Sequence, residues 1–265
     1  SAMSPIKVIV HGAAGRVGQE VVKAVCQEAD MVLVGAVDVK CSGESLPLPD
    51  NKGSVPFSPD LTKIIDSCEP DVMVDFTIAK ASMPALRIAT QKGVNIVTGT
   101  TGFSAAELEE MKKLAGSNEV GIVAAPNFAL GAVLMIHLAK IVSKYIDHAE
   151  IVELHHDKKL DAPSGTSLLT AKAMAEARGK PFLPPAAGEP TPSRGQSIDG
   201  VNIHSIRMPG YMAHQEVIFG TSGQTLSIRH DTINRECYMP GVLLAVRAVV
   251  KQKGFTYGLD KLLGL

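Results

Sequence analysis

From Glu153 to Ser167 the chain reads ELHHDKKLDAPSGTS. This short run holds two imidazoles (His155, His156), two ammonium groups (Lys158, Lys159) and a Pro-Ser-Gly-Thr turn. The histidines stand at the end of a predicted strand, 149–156, so their side chains point to opposite faces and one can face a cleft while the other packs elsewhere. Lys159 lies four residues beyond His155, after a turn. Ser164 is suited to cap a helix predicted over 164–178, and the free N–H groups of Gly165 and Thr166 would favour a carboxylate or phosphate. An imidazole that moves a proton, an ammonium and an anion cradle suit the reduction of a small carboxylated molecule: hydride on one side, a proton source on the other, cations on the acid groups. Taken singly, each has an ordinary explanation: a solvated histidine, surface lysines, a helix start. The histidines are adjacent and no Cys or further His lies at a ligand spacing nearby, which argues against a zinc site.

A second constellation precedes it. Gly12 to Gly18 reads GAAGRVG, a G-x-x-G-x-x-G spacing in which Ala14 and Val17 occupy places that are glycine in the G-x-G-x-x-G fingerprint. Gly12 permits a tight exit from a strand. Gly15, with the small Ala13 and Ala14, lets backbone N–H groups approach a pyrophosphate, and Gly18 lets a helix pack closely on the sheet. Asp38 ends the next predicted strand, where an acid usually binds the adenosine ribose hydroxyls. Arg16 and Lys40 are either solvated surface or a source of charge for a 2′-phosphate. Two more loops, TGTTGF (98–103) and APNFALG (125–131), fall at carboxyl ends of strands, where ligands bind in open α/β sheets, although both are also good turns.

The elements that must position these groups follow from hydrophobic patterning. Nearly continuous apolar runs at 6–12, 31–38, 71–76, 94–100 and 120–126 predict parallel strands buried on both faces. Helical spacing fills 16–29, 79–92 and 104–116, the last opened by a capping-box pair, Ser104 and Glu107. From about 129 the pattern changes. A helix apolar almost all round (130–146) leads to the 149–156 strand, the 164–178 helix and a Pro/Gly/Ser-rich loop (179–197). Three strands follow, at 201–210, 213–220 and 224–231, the last two a hairpin, then a helix over 239–254 with a glycine stop. The fold class is therefore α/β: a Rossmann-like, mostly parallel sheet with a second α+β domain. The expected organisation is a dinucleotide-binding domain at 3–128, a substrate-binding and oligomerisation domain at 129–237, and a C-terminal segment at 238–265 returning to the first.

Composition narrows the function classes. A net charge of −1 over 265 residues advertises neither a nucleic-acid nor a membrane partner. The four cysteines are scattered, without C-x-x-C or metal spacing, as in a reducing cytosol. No signal-like segment and no apolar run of about 18 residues is present, so a cytoplasmic location is expected, or a plastid if the source is a plant.

The motifs also carry a resemblance. The His-His-x-x-Lys-x-Asp-Ala-Pro-Ser-Gly-Thr run resembles the signature of the dihydrodipicolinate reductase (4-hydroxy-tetrahydrodipicolinate reductase) family of lysine biosynthesis. GAAGRVG, DFT, GTTG, APNFALG and IHSIRMPG occur in that family's order, over nearly the whole chain. The resemblance implies NADH and/or NADPH as cofactor and a small dicarboxylate as substrate, reduced to tetrahydrodipicolinate with loss of water. It also implies a homotetramer joined through the second domain's sheet, and closure between domains. His155 matches the acid/base residue, Lys159 a proton donor or substrate holder, His156 a substrate contact, and the backbone at Gly165 and Thr166 a carboxylate site. The implied cofactor contacts are Gly12, Ala13, Ala14, Gly15, Arg16, Val17, Asp38, Gly99, Thr100, Thr101, Ala125, Pro126, Asn127 and Phe128. Two departures matter. Asp38-Val39 stands where some members have Glu-Arg, so the Arg that would hold the NADPH 2′-phosphate is missing, which favours NADH or dual use with Lys40 as a possible substitute. Pro126 replaces an Ala and removes one N–H donor. A related two-domain amino-acid or semialdehyde dehydrogenase, or a non-catalytic nucleotide-binding protein, shares the plan. However, no Cys sits in a convincing nucleophile context, and the intact motif argues against a degenerate binder.

Overall fold

The computed structural model describes residues 3–185, 188 and 191–265. The chain forms two compact units: residues up to Leu130 together with Arg235–Leu265, and Gly131–Asn234.

The first unit alternates β1 (Ile6–His11), α1 (Arg16–Gln27), β2 (Met31–Val37), β3 (Ser45–Pro47), β4 (Ser54–Ser58), α2 (Leu61–Cys68), β5 (Val72–Asp75), α3 (Ala79–Gln91), β6 (Asn95–Thr98), α4 (Ala105–Asn118) and β7 (Gly121–Ala124). The apolar runs form strands for the reason the pattern implies. Val8, Ile9 and Val10 in β1, Val72 to Val74 in β5 and Ile96 and Val97 in β6 are wholly buried, with helices packed over the sheet. The capping box forms: the Ser104 hydroxyl accepts from the Glu107 N–H at 3.1 Å, and the Glu107 carboxylate accepts from the Ser104 N–H at 3.0 Å. β3, β4 and α2 have no counterpart in the sequence pattern. The first two are short and hold Pro47 and Pro56. α2 is an eight-residue helix whose Asp60 cap accepts from the Lys63 N–H.

The second unit holds α5 (Leu130–Val142), β8 (His148–His155), α6 (Gly165–Arg178), β9 (Gln196–Ile198), β10 (Val201–Arg207), β11 (Ala213–Thr221) and β12 (Gln224–Thr232). Its sheet runs β12-β11-β8-β10-β9 and is mixed, with β8 and β10 parallel and every other pair antiparallel. Ile151, Ile203, Val217 and Phe219 face Met135 and Ala139 of α5 and Ala171 and Met174 of α6. α5 is shorter than its apolar run and less buried than that run suggests: Leu134, Leu138 and Ile141 are exposed. Of the expected 179–197 loop, residues 186, 187, 189 and 190 lie outside the described residues, and its end is already strand, since β9 starts at Gln196.

Arg235–Leu265 completes the first unit. The expected 239–254 helix is corrected here. α7 (Met239–Val249) ends earlier, and Gly254, at φ +101°, opens β13 (Gly254–Tyr257) before α8 (Leu259–Leu263). A positive φ cannot continue a helix, and Phe-Thr-Tyr suits a strand. β13 pairs in parallel with β7, giving the sheet order β13-β7-β6-β5-β1-β2-β4-β3, in which only β3 is antiparallel. Arg247 of α7 forks onto Asp30 at 2.8 and 3.0 Å and reaches Glu28 at 2.7 Å. From β1 the chain builds outward first through β2 and then, on the other side, through β5. The switch point for a ligand thus lies outside the carboxyl ends of β1, β2 and β5.

Candidate active site

At that edge the glycine loop is fixed by steric necessity. A Cβ on Gly18 would lie 1.9 Å from the Gly12 carbonyl oxygen, and one on Gly12, at φ +87°, would lie 2.3 Å from the Phe76 carbonyl oxygen. The loop's own N–H groups are mostly engaged within it. Gly12 and Ala13 both donate to the Val37 carbonyl (2.9 and 3.2 Å), Gly15 donates to the Gly12 carbonyl (3.0 Å), and Ala14 donates to Asp38 Oδ2 (2.9 Å). The donors left for an anion are therefore not those of Ala13 and Ala14, which sequence spacing favours, but those of Arg16 and Val17, which have no acceptor among the described residues. They open α1, where the helix dipole adds to their pull. Asp38 is held from both sides, because its Oδ1 also accepts from the Lys40 N–H at 2.8 Å. Val39 and Lys40 beside it are exposed.

Asp75, the first residue of the DFT motif but not among the expected site residues, organises the rest of this edge. It is wholly buried at the end of β5 and accepts five hydrogen bonds. His11 Nδ1 (2.7 Å) and the Thr77 hydroxyl (2.9 Å) reach Oδ1. The hydroxyls of Ser82 (2.6 Å), Thr98 (2.7 Å) and Thr100 (2.8 Å) reach Oδ2. Burial alone would raise the carboxyl's pKa, but the bond and charge from His11, with the Ser82 and Thr98 hydroxyls, hold it below the ordinary value. The Thr100 hydroxyl also accepts from the Thr77 N–H at 2.9 Å, so it ties two loops together, and the Thr100 N–H donates to the Thr98 hydroxyl at 3.2 Å, which leaves its carbonyl for a ligand. Gly99 is pressed against the Phe76 ring, whose centroid lies 5.9 Å from that of Phe128. Phe128 and Ala125 are both buried, Thr101 and Pro126 are exposed, and Asn127 Oδ1 accepts from the Ala129 N–H at 2.8 Å, leaving its amide N–H groups to donate.

In the second unit the opening stretch folds around a buried carboxylate. Alternation along β8 puts Ala149, Ile151, Glu153 and His155 on one face. Register places Ser205 and Arg207 of β10 beside Glu153 and His155, and Gln215 of β11 opposite Glu153. The apolar sheet face thus turns polar at the His155 end. Glu153 Oε2 accepts from His155 Nδ1 at 2.5 Å, and Arg207 grips both carboxylate oxygens at 2.9 Å each. Oε1 also accepts from the Ser164 N–H at 3.1 Å. Burial would raise the Glu153 pKa, but the hydrogen bonds from His155, Arg207 and Ser205 bring it down to about 2, so the group is a carboxylate throughout the physiological range. Ser164 caps α6 by accepting from the Ser167 N–H, and the Gly165 and Thr166 N–H groups have no acceptor among the described residues. Lys159 Nζ donates to Asp161 Oδ1 at 2.8 Å, which lowers the Asp161 pKa, and Arg207 also donates to the Asp161 carbonyl at 2.8 Å. His156 is exposed. One Arg-Glu pair thus joins the strand that carries His155, the loop that carries Lys159 and the N-terminus of α6. Glu153 and Arg207 lie in the quoted stretches ELHH and IHSIRMPG, but their pairing bridges 54 residues and is not visible in sequence spacing.

Comparison with known proteins gives the family. The family model for the dihydrodipicolinate reductase N-terminus matches residues 6–128, and that for the C-terminus matches 131–263. A 4-hydroxy-tetrahydrodipicolinate reductase of Dehalococcoides mccartyi (strain ATCC BAA-2266 / KCTC 15142 / 195) is 58% identical over 263 residues, covering 99% of this chain and 100% of its own. That of Moorella thermoacetica is 47% identical over 266 residues, covering 98% and 99%. Among solved structures, the dipicolinate-bound dihydrodipicolinate reductase of Paenisporosarcina sp. TG-14 superposes with a TM-score of 0.86 at 38% identity, covering 97% of this chain and 99% of its own.

Proposed function

Because this chain belongs to the dihydrodipicolinate reductase family, we propose a division of labour between its two units, each supplying one half of a reduction. The protein is an NAD(P)H-dependent oxidoreductase that converts 4-hydroxy-tetrahydrodipicolinate to tetrahydrodipicolinate in diaminopimelate and lysine biosynthesis. A nucleotide-binding protein without turnover and a Cys-dependent semialdehyde dehydrogenase are set aside by that membership.

The first unit is the cofactor domain. Its residues fit a dinucleotide: Gly12 and Gly18 leave no room for side chains, the Arg16 and Val17 N–H groups are free for a pyrophosphate, and Asp38 waits at the ribose position. Gly99, Thr101, Pro126 and Asn127 line the same strand ends, with Thr100, Ala125 and Phe128 acting through backbone. Asp38-Val39 supports use of NADH, with Lys40 and Arg16 the candidate charges for a 2′-phosphate. When bound, the nicotinamide supplies a hydride to ring C4, after or with loss of water.

The second unit holds the dicarboxylate and moves the proton. The Gly165 and Thr166 N–H groups receive one carboxylate at the positive end of α6. Lys159 exchanges its bond to Asp161 for a substrate carboxylate or delivers a proton, and His156 contacts the substrate. Hydride arrival builds negative charge on the conjugated imine. The ammonium and the helix N–H groups offset it, and His155 gives the proton to the neighbouring carbon. The observation that carries this reading is His155 Nδ1, held 2.5 Å from a carboxylate that also anchors the α6 cap.

A homotetramer is the proposed assembly. Its support is the apolar surface left on α5 at Leu134, Leu138 and Ile141, and Ile206 exposed on β10. We place the enzyme in the cytoplasm. Among the described residues no helix is long and apolar enough to cross a membrane.

The test is a coupled assay with dihydrodipicolinate synthase, pyruvate and aspartate semialdehyde, following NADH and NADPH separately. Consumption should require the synthase and fall about 100-fold or more in His155→Ala and Lys159→Ala. No consumption with either cofactor, despite NADH binding, would overturn the reading.

A further inference from the structure

We infer that Glu153 is the positioning residue of the second unit's site, a single carboxylate that sets both the proton-bearing nitrogen of His155 and the place of the α6 anion cradle. The inference rests on the assignment of His155 as the proton donor given above.

The geometry leaves the carboxylate little freedom. Arg207 holds both oxygens in a planar fork, and the side chain is wholly buried. An ionised carboxylate only accepts hydrogen bonds, so the His155 nitrogen 2.5 Å away, Nδ1, must carry the proton. Nε2 is then the nitrogen that exchanges a proton with substrate. The other oxygen takes the Ser164 N–H, and Ser164 in turn caps α6. Proton source and anion site therefore hang from the two arms of one carboxylate, and displacing it moves both. Sheet register explains how the pieces meet. Glu153 and His155 are two apart on one face of β8, Ser205 and Arg207 repeat that spacing on β10, and Gln215 borders them on β11. A row of polar side chains on the helix-covered face of a sheet is costly to bury without a purpose for its partners.

Two measurements test this. In the wild-type enzyme labelled with [15N]histidine, the His155 resonances are identified by their loss in His155→Gln. Neutral His155 should show a protonated Nδ1 and an unprotonated Nε2; the opposite tautomer would overturn the inference without requiring any Glu153 variant to fold. Kinetics of Glu153→Gln, His155→Gln and the double variant form the second. Glu153→Gln should lower kcat roughly 100-fold while the KM for NADH stays unchanged. Because Glu153 acts on the proton through His155, kcat of the double variant should lie within about threefold of that of His155→Gln alone, while the KM for the dicarboxylate rises in both Glu153 variants through the displaced α6 cradle. Losses in kcat that multiply, or an unchanged substrate KM, would overturn the corresponding arm of the inference. Wild-type activity in His155→Gln would instead remove the proton-donor assignment itself, a result distinguishable from failure of the coupling.

Discussion

Replacing Asp75 tests whether the cofactor edge of the first unit is held together by one buried acceptor. In Asp75→Ala, the hydroxyls of Ser82, Thr98 and Thr100, all nearly or wholly buried, lose the oxygen they share. Ser82 lies in α3 and can turn to the Ile78 carbonyl four residues back, which limits its loss. Thr98 and Thr100 have no such local substitute. Each unsatisfied buried hydroxyl costs about 1–3 kcal/mol, and the lost partners of His11 and Thr77 and the void add more, so about 4–5 kcal/mol is expected in all. Asp75→Asn keeps one oxygen. Turned toward the three hydroxyls, it leaves its amide facing His11 Nδ1, which can accept in the other tautomer, so the cost drops to about 2 kcal/mol. At roughly 2–4 °C per kcal/mol, the melting temperature should fall by about 10–15 °C in the Ala variant and about 5 °C in the Asn variant. NADH affinity should weaken roughly tenfold in the Ala variant, because the Thr77 and Thr100 loops lose their tie. Calorimetry and NADH titration read both effects. An Ala variant no worse than Asn, or either one melting within about 2 °C of wild type, would refute the reasoning.

Two further outcomes follow from the geometry. The folded state holds Glu153 near a pKa of about 2 against an ordinary 4.5, so its contribution is fully present above pH 4.5 and is lost as pH falls toward 2. Urea unfolding should therefore show wild type losing about 3 kcal/mol more stability across that window than Glu153→Gln, in which the other carboxylates still titrate; equal slopes would contradict the ionised carboxylate. In Gly18→Ala the new Cβ meets the Gly12 carbonyl oxygen at 1.9 Å, so α1 must move. NADH binding should weaken at least tenfold, roughly 1.4 kcal/mol, and an unchanged Kd would show that the glycine loop does not hold the cofactor.

The strands that form the centre of the first sheet were legible because each is a run of β-branched and apolar residues buried on both faces, a signal that one window of sequence carries. The Ser104 capping box and the Ser164 cap were legible for the same reason, since donor and acceptor lie three residues apart. What sequence could not show is what depends on distant partners. Asp75 lies 64 residues from His11, and Glu153 lies 54 from Arg207. In a strand such a residue looks like a break in the apolar pattern rather than a hub. The glycine loop was recognisable by spacing, yet which of its N–H groups stay free depends on Val37 and Asp38 across the turn. β13 was hidden behind a helical pattern read through to Gly254, whereas the helix ends at Val249, and the strand forms on the partner edge that β7 offers.

That edge has a consequence for biosynthesis. Gly121, at the start of β7, has the Val249 and Gln252 carbonyl oxygens where a side chain would be, and β13 then pairs along the strand. On the ribosome, β7 is made long before either. The intervening Gly131–Asn234 unit is contiguous and can fold during translation, while the first unit's sheet keeps an unpaired edge until residues 254–257 emerge. A message truncated before Gly254 would thus yield a chain with one sound unit and one sticky strand, a substrate for chaperones and proteases rather than a partly active enzyme.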